Sequence, residues 1–191
     1  MKNNKICVIG LGYVGLPLAF HLSKHFELVG FDNNKERIFD LKKNVDKTNE
    51  IKAAKLKKAK ILFTCETKDI QKCKIYIVTV PTPIDSKNNP QITSLISVTK
   101  MIASILKNND LIIYESTVFP GCTEEILIPL IEKISKKKLN KNFSVGYSPE
   151  RIDPGFSKYK LSNQAKVISG SSKQTLKKVK SIYKRIINEN I

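Results

Sequence analysis

Apolar residues fall in short unbroken runs separated by amphipathic stretches, and the alternation continues along most of the chain. Ile6, Cys7, Val8 and Ile9 form the first run. It is too short for a helix and apolar at every position, as a central parallel strand covered on both faces requires. A helical stretch follows with Pro17 in its first turn, where the missing N–H is tolerated. Residues 27–31 then supply a second strand ending on Asp32. Asn33 and Glu36 are spaced as a capping box for a helix through about Lys43, with Ile38, Phe39 and Leu41 inward. Residues 44–60 are polar and lysine-rich, with Ile51, Ala54 and Leu56 as sparse apolar points, and predict a loop and a short surface helix. Residues 61–64 predict a short strand, 69–73 a turn, and 75–80 another strand apolar on both faces.

Pro81-Thr82-Pro83 ends that strand, since proline cannot continue a central ladder. A polar loop follows over 84–91, and Ser94 is placed to cap a helix reaching about Leu106. Residues 111–114 predict a strand ended by Glu115-Ser116-Thr117. Past Pro120-Gly121, Thr123, Glu124 and Glu125 open a helix with acids at its positive end. That helix carries Ile126, Leu127, Leu130, Ile131 and Ile134 at helical spacing, and lysines 136–138 close it. Residues 143–147 predict a strand leading to Ser148-Pro149-Glu150-Arg151. The chain is then irregular until an edge strand at 166–169, and Ser171 with Gln174 boxes a final helix to about Ile187. Strands alternating with helices argue for one domain over residues 1–191, an α/β doubly wound and mainly parallel sheet with helices on both faces. Such sheets bind ligands beyond the strand C-termini, at the switch in strand order. Asp32, Thr82, Thr117 and Glu150 each follow a predicted strand, so they fall at that edge.

The first turn carries the most specific chemistry. Gly10, Gly12 and Gly15 stand in G-x-G-x-x-G spacing between a strand and a helix. The first allows the tight turn, the second lets backbone approach a pyrophosphate, and the third lets helix and sheet close up. Phosphates would meet the helix N-terminus, where N–H groups and the macrodipole favour anions. Asp32 stands where the ribose 2′-hydroxyl of NAD would be. Arg37 lies near enough to reach the adenosine side, while Asp32 would repel a 2′-phosphate, so NAD is expected over NADP.

Composition narrows the alternatives. At 191 residues the chain can bury a real core. No stretch approaches a membrane span and no signal-peptide pattern opens it, so a cytoplasmic protein with no membrane partner is expected. The cysteines Cys7, Cys65, Cys73 and Cys122 lack C-x-x-C spacing, and His21 and His25 have no partnering carboxylate motif. Free thiols and no metal are the reading. The formal charge of +17 raises nucleic acid. Nearly all of it is lysine on presumptive outer faces, with Arg37, Arg151 and Arg185 as the arginines. A solvated basic surface is therefore expected, with no nucleic-acid partner.

Four segments stand out together: VIGLGYVGLPLA (8–19), VTVPTPID (78–85), YESTVFPGCTEE (114–125) and VGYSPERIDPG (145–155). In combination they resemble the NAD-binding domain of the UDP-glucose/GDP-mannose dehydrogenase family. PTPID, PGCTEE and SPER are closest to the UDP-N-acetylhexosamine 6-dehydrogenases, and Pro154 stands where the UDP-glucose enzymes carry a second glutamate. The resemblance implies a Rossmann-type domain and oxidation of a sugar C6 alcohol to a carboxylate with two NAD⁺, through a cysteine-bound thioester. It implies that Gly10, Gly12, Tyr13, Val14 and Gly15 hold the pyrophosphate and that Asp32 and Arg37 hold the adenosine ribose. Thr82 and Thr117 would flank the nicotinamide. Glu150 would act as general base or orient water, and Arg151 and Ile152 would line the UDP-N-acetylhexosamine. The family's nucleophilic cysteine lies beyond this domain, as do its central helix and UDP-binding C-terminal domain; Cys122 is not that nucleophile. The expectation is the cofactor part of such an enzyme, a truncated piece or fragment gene inactive alone. The alternative is a non-catalytic NAD-binding module or split-enzyme half whose partner is a separate C-terminal half or a full-length homologue.

Overall fold

The computed structural model describes residues 5–150 and 165–187. Strands β1 (Ile6–Ile9), β2 (Leu28–Phe31), β3 (Ile61–Thr64), β4 (Ile75–Val78), β5 (Asp110–Tyr114), β6 (Phe143–Tyr147) and β7 (Ser169–Gly170) form one seven-stranded sheet. Their order is β3-β2-β1-β4-β5-β6-β7. All neighbours pair parallel except β7, which runs antiparallel to β6. The order reverses between β1 and β4, and the crevice of a doubly wound sheet opens there.

Alternate residues of each central strand enter separate cores. Ile6, Val8, Ile77 and Ile113 face a core completed by α1 (Gly15–Leu22), α2 (Lys35–Lys42) and α7 (Lys173–Tyr183). Cys7, Ile9, Tyr76, Val78, Ile112 and Tyr114 face a second core under α5 (Thr93–Ile105) and α6 (Ile128–Ser135). Two short helices, α3 (Ala53–Leu56) and α4 (Thr67–Ile70), contribute Leu56 and Ile70. Burial on both faces explains why these strands read as continuous apolar runs.

Several boundaries differ from expectation, each for a local reason. The cap of α2 is Asn34, which accepts from the Arg37 N–H at 3.1 Å. Asp32 Oδ1 takes the Asn34 N–H at 2.9 Å, and this turn moves the helix start one residue past Asn33. Phe39 is 56% exposed beneath the Lys43 ammonium, so only Ile38 and Leu41 point inward. Ala54 is likewise exposed. The stretch expected as a turn near Asp69 contains α4, and β4 ends at Val78, two residues early. Helix α5 starts after Ile92, with Ser94 inside it; the Gln91 N–H donates to the Pro83 carbonyl at 2.7 Å and sets the entry. A π-helical turn (Cys122–Leu127) precedes α6, begun by Gly121 at φ +85°. Ile134 is exposed.

Ser172, not Ser171, caps α7 and accepts from the Thr175 N–H. Ser171 is occupied elsewhere: it donates to Asn140 and accepts from the Val145 N–H. The helix ends at Tyr183 rather than Ile187. The edge strand is the pair Ser169–Gly170, because Lys166 turns inward and Ser148 holds the Val167 carbonyl.

Candidate functional site

The glycine loop is built by three different constraints. Gly10 has φ +94°, a conformation that favours glycine, and its N–H donates to the Phe31 carbonyl at 2.9 Å. A Cβ on Gly15 would collide with the Gly10 carbonyl oxygen and the Thr79 hydroxyl, so α1 packs against the turn only without a side chain. A Cβ on Gly12 meets no protein atom within 4 Å. The protein's own packing therefore does not require glycine there, whereas a pyrophosphate approaching the backbone would. Thr79 fixes the turn from β4 by donating to the Ile9 and Gly10 carbonyls, at 3.0 and 2.7 Å. Tyr13 is half exposed at the loop tip, and Val14 precedes the first turn of α1.

Asp32 sits immediately after β2. Its Oδ2 accepts the Leu11 N–H at 2.8 Å and its Oδ1 the Asn34 N–H. Arg37, on α2, donates from Nε to the Leu11 carbonyl at 2.9 Å. Its guanidinium also pairs with Asp46 at 2.8 Å and reaches the Thr48 hydroxyl at 3.3 Å. The acid and arginine assigned to the ribose thus also grip the glycine loop. Together with the open face of Gly12, these groups fit a dinucleotide with an unphosphorylated ribose.

Across the switch point, the loops after β4 and β5 are stitched together. Ser116 donates to the Val80 carbonyl and Thr82 to the Thr117 carbonyl, both at 2.6 Å. Thr82 and Thr117 are therefore neighbours. Glu150 follows β6, and its N–H donates to the Glu115 carbonyl at 3.2 Å, which places it next to the β5 loop. Arg151 and Ile152 lie outside the described residues. Cys122 is fully buried, and burial pushes its thiol up in pKa, the opposite of activation as a nucleophile.

Beneath Glu150 lies a cluster that sequence reading missed. The Glu115 side chain is fully buried, accepts from Lys166 Nζ at 2.9 Å and from the Tyr183 hydroxyl, and is linked through Tyr183 to α7. Burial raises the Glu115 pKa against the opposing pull of Lys166, and the charge of Glu150 adds to the rise. Asp46 was missed as well. Its side chain is 1% exposed and accepts from the Thr48 N–H and hydroxyl and from the Glu50 and Ile51 N–H groups. The D-x-T-x-E spelling of residues 46–50 was a turn signal hidden in a lysine-rich stretch. Among the described residues, no group of three or more His, Cys, Asp or Glu is arranged to hold a metal, and no helix is long and apolar enough to cross a membrane.

Comparison with known proteins agrees with this geometry. Residues 4–187 match the NAD binding domain of the UDP-glucose/GDP-mannose dehydrogenase family. The chain is 48% identical over 188 residues to a UDP-N-acetyl-D-glucosamine 6-dehydrogenase of Pseudomonas aeruginosa, covering 98% of this chain and 44% of that protein. It is 46% identical to the Salmonella typhi enzyme of the same name, over 96% of this chain and 44% of that protein. A solved UDP-D-ManNAc dehydrogenase from Pyrococcus horikoshii superimposes with a TM-score of 0.91 at 28% identity, over 98% of this chain and 46% of that one. The chain thus spans under half the length of these relatives. With the glycine loop, the acid after β2 and the strand order all in agreement, the chain belongs to the UDP-glucose/GDP-mannose dehydrogenase family as its NAD-binding domain.

Proposed function

We propose that this chain supplies the cofactor part of a UDP-N-acetylhexosamine 6-dehydrogenase, a cytoplasmic NAD-dependent oxidoreductase feeding surface-polysaccharide synthesis. One observation carries the reading. Asp32, Thr82, Thr117 and Glu150 follow four different strands at the C-terminal edge of a sheet whose order reverses between β1 and β4, with Thr82 bonded to Thr117 and Glu150 beside the loop after β5. Identity near one half to two UDP-N-acetyl-D-glucosamine 6-dehydrogenases supports the substrate class. The free thiols of Cys7, Cys65, Cys73 and Cys122 support a reducing compartment.

In this reading, bound NAD supplies the hydride acceptor. Gly10, Gly12, Tyr13, Val14 and Gly15 hold the pyrophosphate with loop N–H groups and the N-terminal end of α1. Asp32 accepts from the ribose hydroxyls and repels a 2′-phosphate, with Arg37 bracing the same side. Thr82 and Thr117 form one wall of the nicotinamide position. Glu150 takes a proton or orients water at the sugar, and Arg151 and Ile152 line the UDP-sugar. The thiol that carries the substrate comes from a separate C-terminal part, joined to this domain or supplied by a partner chain.

Mixing the chain with a separately produced C-terminal part of the Pseudomonas aeruginosa relative tests this. Reduction of NAD⁺ should require both parts and UDP-N-acetylglucosamine, and should fall about a hundredfold in Glu150→Gln, as loss of a general base does. A mixture in which both parts associate and bind their ligands, yet reduce no NAD⁺ with any UDP-N-acetylhexosamine, would overturn the reading.

A further inference from the structure

We propose that Asp46 is a positioning residue of the cofactor site, acting through Arg37 on the glycine loop; this rests on the NAD reading above. The two peptide units flanking Leu11 are both held. The N–H of Leu11 is bonded by Asp32 at 2.8 Å, and its carbonyl by Arg37 Nε at 2.9 Å. In a planar trans peptide the carbonyl and the following N–H point in opposite directions. Holding the Leu11 carbonyl toward Arg37 therefore turns the Gly12 N–H away from it, on the residue whose Cβ would meet no protein atom. That is the orientation a phosphate oxygen needs.

Arginine alone would hold this peptide poorly, because its long side chain has about 2 kcal/mol of rotamer entropy to lose. Asp46 removes that freedom. It pairs with the guanidinium at 2.8 Å, while Thr48 takes the other terminal nitrogen at 3.3 Å. Asp46 is itself fixed by hydrogen bonds from Thr48, Glu50 and Ile51. Arg37 and Asp46 are nearly covered, with side chains 10% and 1% exposed, so water does little to screen the pair. Asp46 also settles a competition. Without it, the guanidinium is free to turn toward Asp32, which bonds the N–H of the same Leu11 whose carbonyl Arg37 holds, and a shift that way would release the Leu11 carbonyl and engage the acid needed for ribose. Segment 44–51 thus belongs functionally to the cofactor site, although it lies outside the glycine loop and its flanking strands.

The test is a double-mutant cycle on the full chain, read by calorimetric titration with NAD⁺. Asp46→Ala should weaken NAD⁺ about tenfold, the scale of one charge-assisted hydrogen bond. Arg37→Ala should weaken it at least as much, and the double variant should be no weaker than Arg37→Ala within about twofold. Independent action of the two residues on the site would make their losses multiply, and a role in fold stability alone would leave the affinity of Asp46→Ala unchanged; either result would overturn the proposal. Should Asp46→Ala fail to fold, Asp46→Asn retains an acceptor for the loop N–H groups and enters the same cycle. Amide exchange at Leu11 and Gly12 in the ligand-free chain gives a second readout. Faster exchange in the Asp46 variants supports the clamp, and unchanged exchange overturns it. A wild-type chain that binds no NAD⁺ would overturn the cofactor reading itself, an outcome distinct from binding that ignores Asp46.

Discussion

The three glycines of the first turn look equivalent on paper and are not. Gly10 answers to backbone conformation, Gly15 to the packing of α1 against the turn, and Gly12 to neither. Gly15→Ala should therefore lower stability by about 3 kcal/mol or more, the upper range for forcing atoms into a packed site, as read by urea unfolding. Gly12→Ala should unfold like the wild type and yet lose most NAD⁺ affinity, because the added methyl intrudes only where the pyrophosphate approaches. Asp46 carries a pH signature. Burial pushes its carboxyl up, but the hydrogen bonds from Thr48, Ile51 and Arg37 outweigh this and hold it below the usual range. A depressed carboxyl stabilises the fold above the unfolded value of about 3.9 and loses that contribution as pH falls through the folded one. The melting-temperature gap between wild type and Asp46→Asn should be full at pH 7 and close below about pH 4. A gap independent of pH would show that the charge of Asp46 contributes nothing. Glycine spacing made the turn legible from sequence, because Gly10 and Gly15 answer to geometry within the strand–turn–helix unit itself. Asp46 was illegible, because its importance arises from Arg37 and Leu11, distant in sequence and brought to it by folding.

At the scale of elements, the central strands were readable because both their faces are buried, which leaves them apolar along nearly their whole length. Caps were less so. Asn33 and Asn34 are adjacent candidates, as are Ser171 and Ser172, and tertiary demands on one neighbour decided each case. The two-residue β7 illustrates the same limit: Lys166, Val167 and Ile168 read as strand, but Lys166 is drawn into the sheet edge by Glu115. Glu115, Lys166 and Tyr183 join β5, the approach to β7 and α7 in one buried ionic contact. Removing one partner leaves an uncompensated charge, so Glu115→Ala or Lys166→Ala should each destabilise by about 3–5 kcal/mol in urea unfolding. Replacing Glu115, Lys166 and Tyr183 together by Met, Leu and Phe should recover most of that loss. Unfolding unchanged by either single substitution would mean the contact contributes nothing to joining the last helix to the sheet.

For the whole molecule, strand order fixes where chemistry can occur. The reversal between β1 and β4 opens a crevice flanked by the glycine loop, Asp32 and the Thr82–Thr117 pair, and Glu150 follows β6 at the same edge of the sheet, beside the loop after β5. A formal charge of +17, spread over lysines on the outer faces, adds a general attraction for phosphorylated ligands without specifying one. In the proposed reading specificity lies instead in Asp32, whose carboxylate would favour a free ribose hydroxyl over a phosphate. The most direct measurement is a calorimetric titration of the isolated chain with NAD⁺ and NADP⁺ in parallel. One NAD⁺ per chain should bind, with NADP⁺ weaker by about tenfold or more from charge repulsion at Asp32, and Asp32→Ala should weaken NAD⁺ and narrow that difference. No NAD⁺ binding at millimolar concentration, or a preference for NADP⁺, would contradict the assignment of this crevice to NAD.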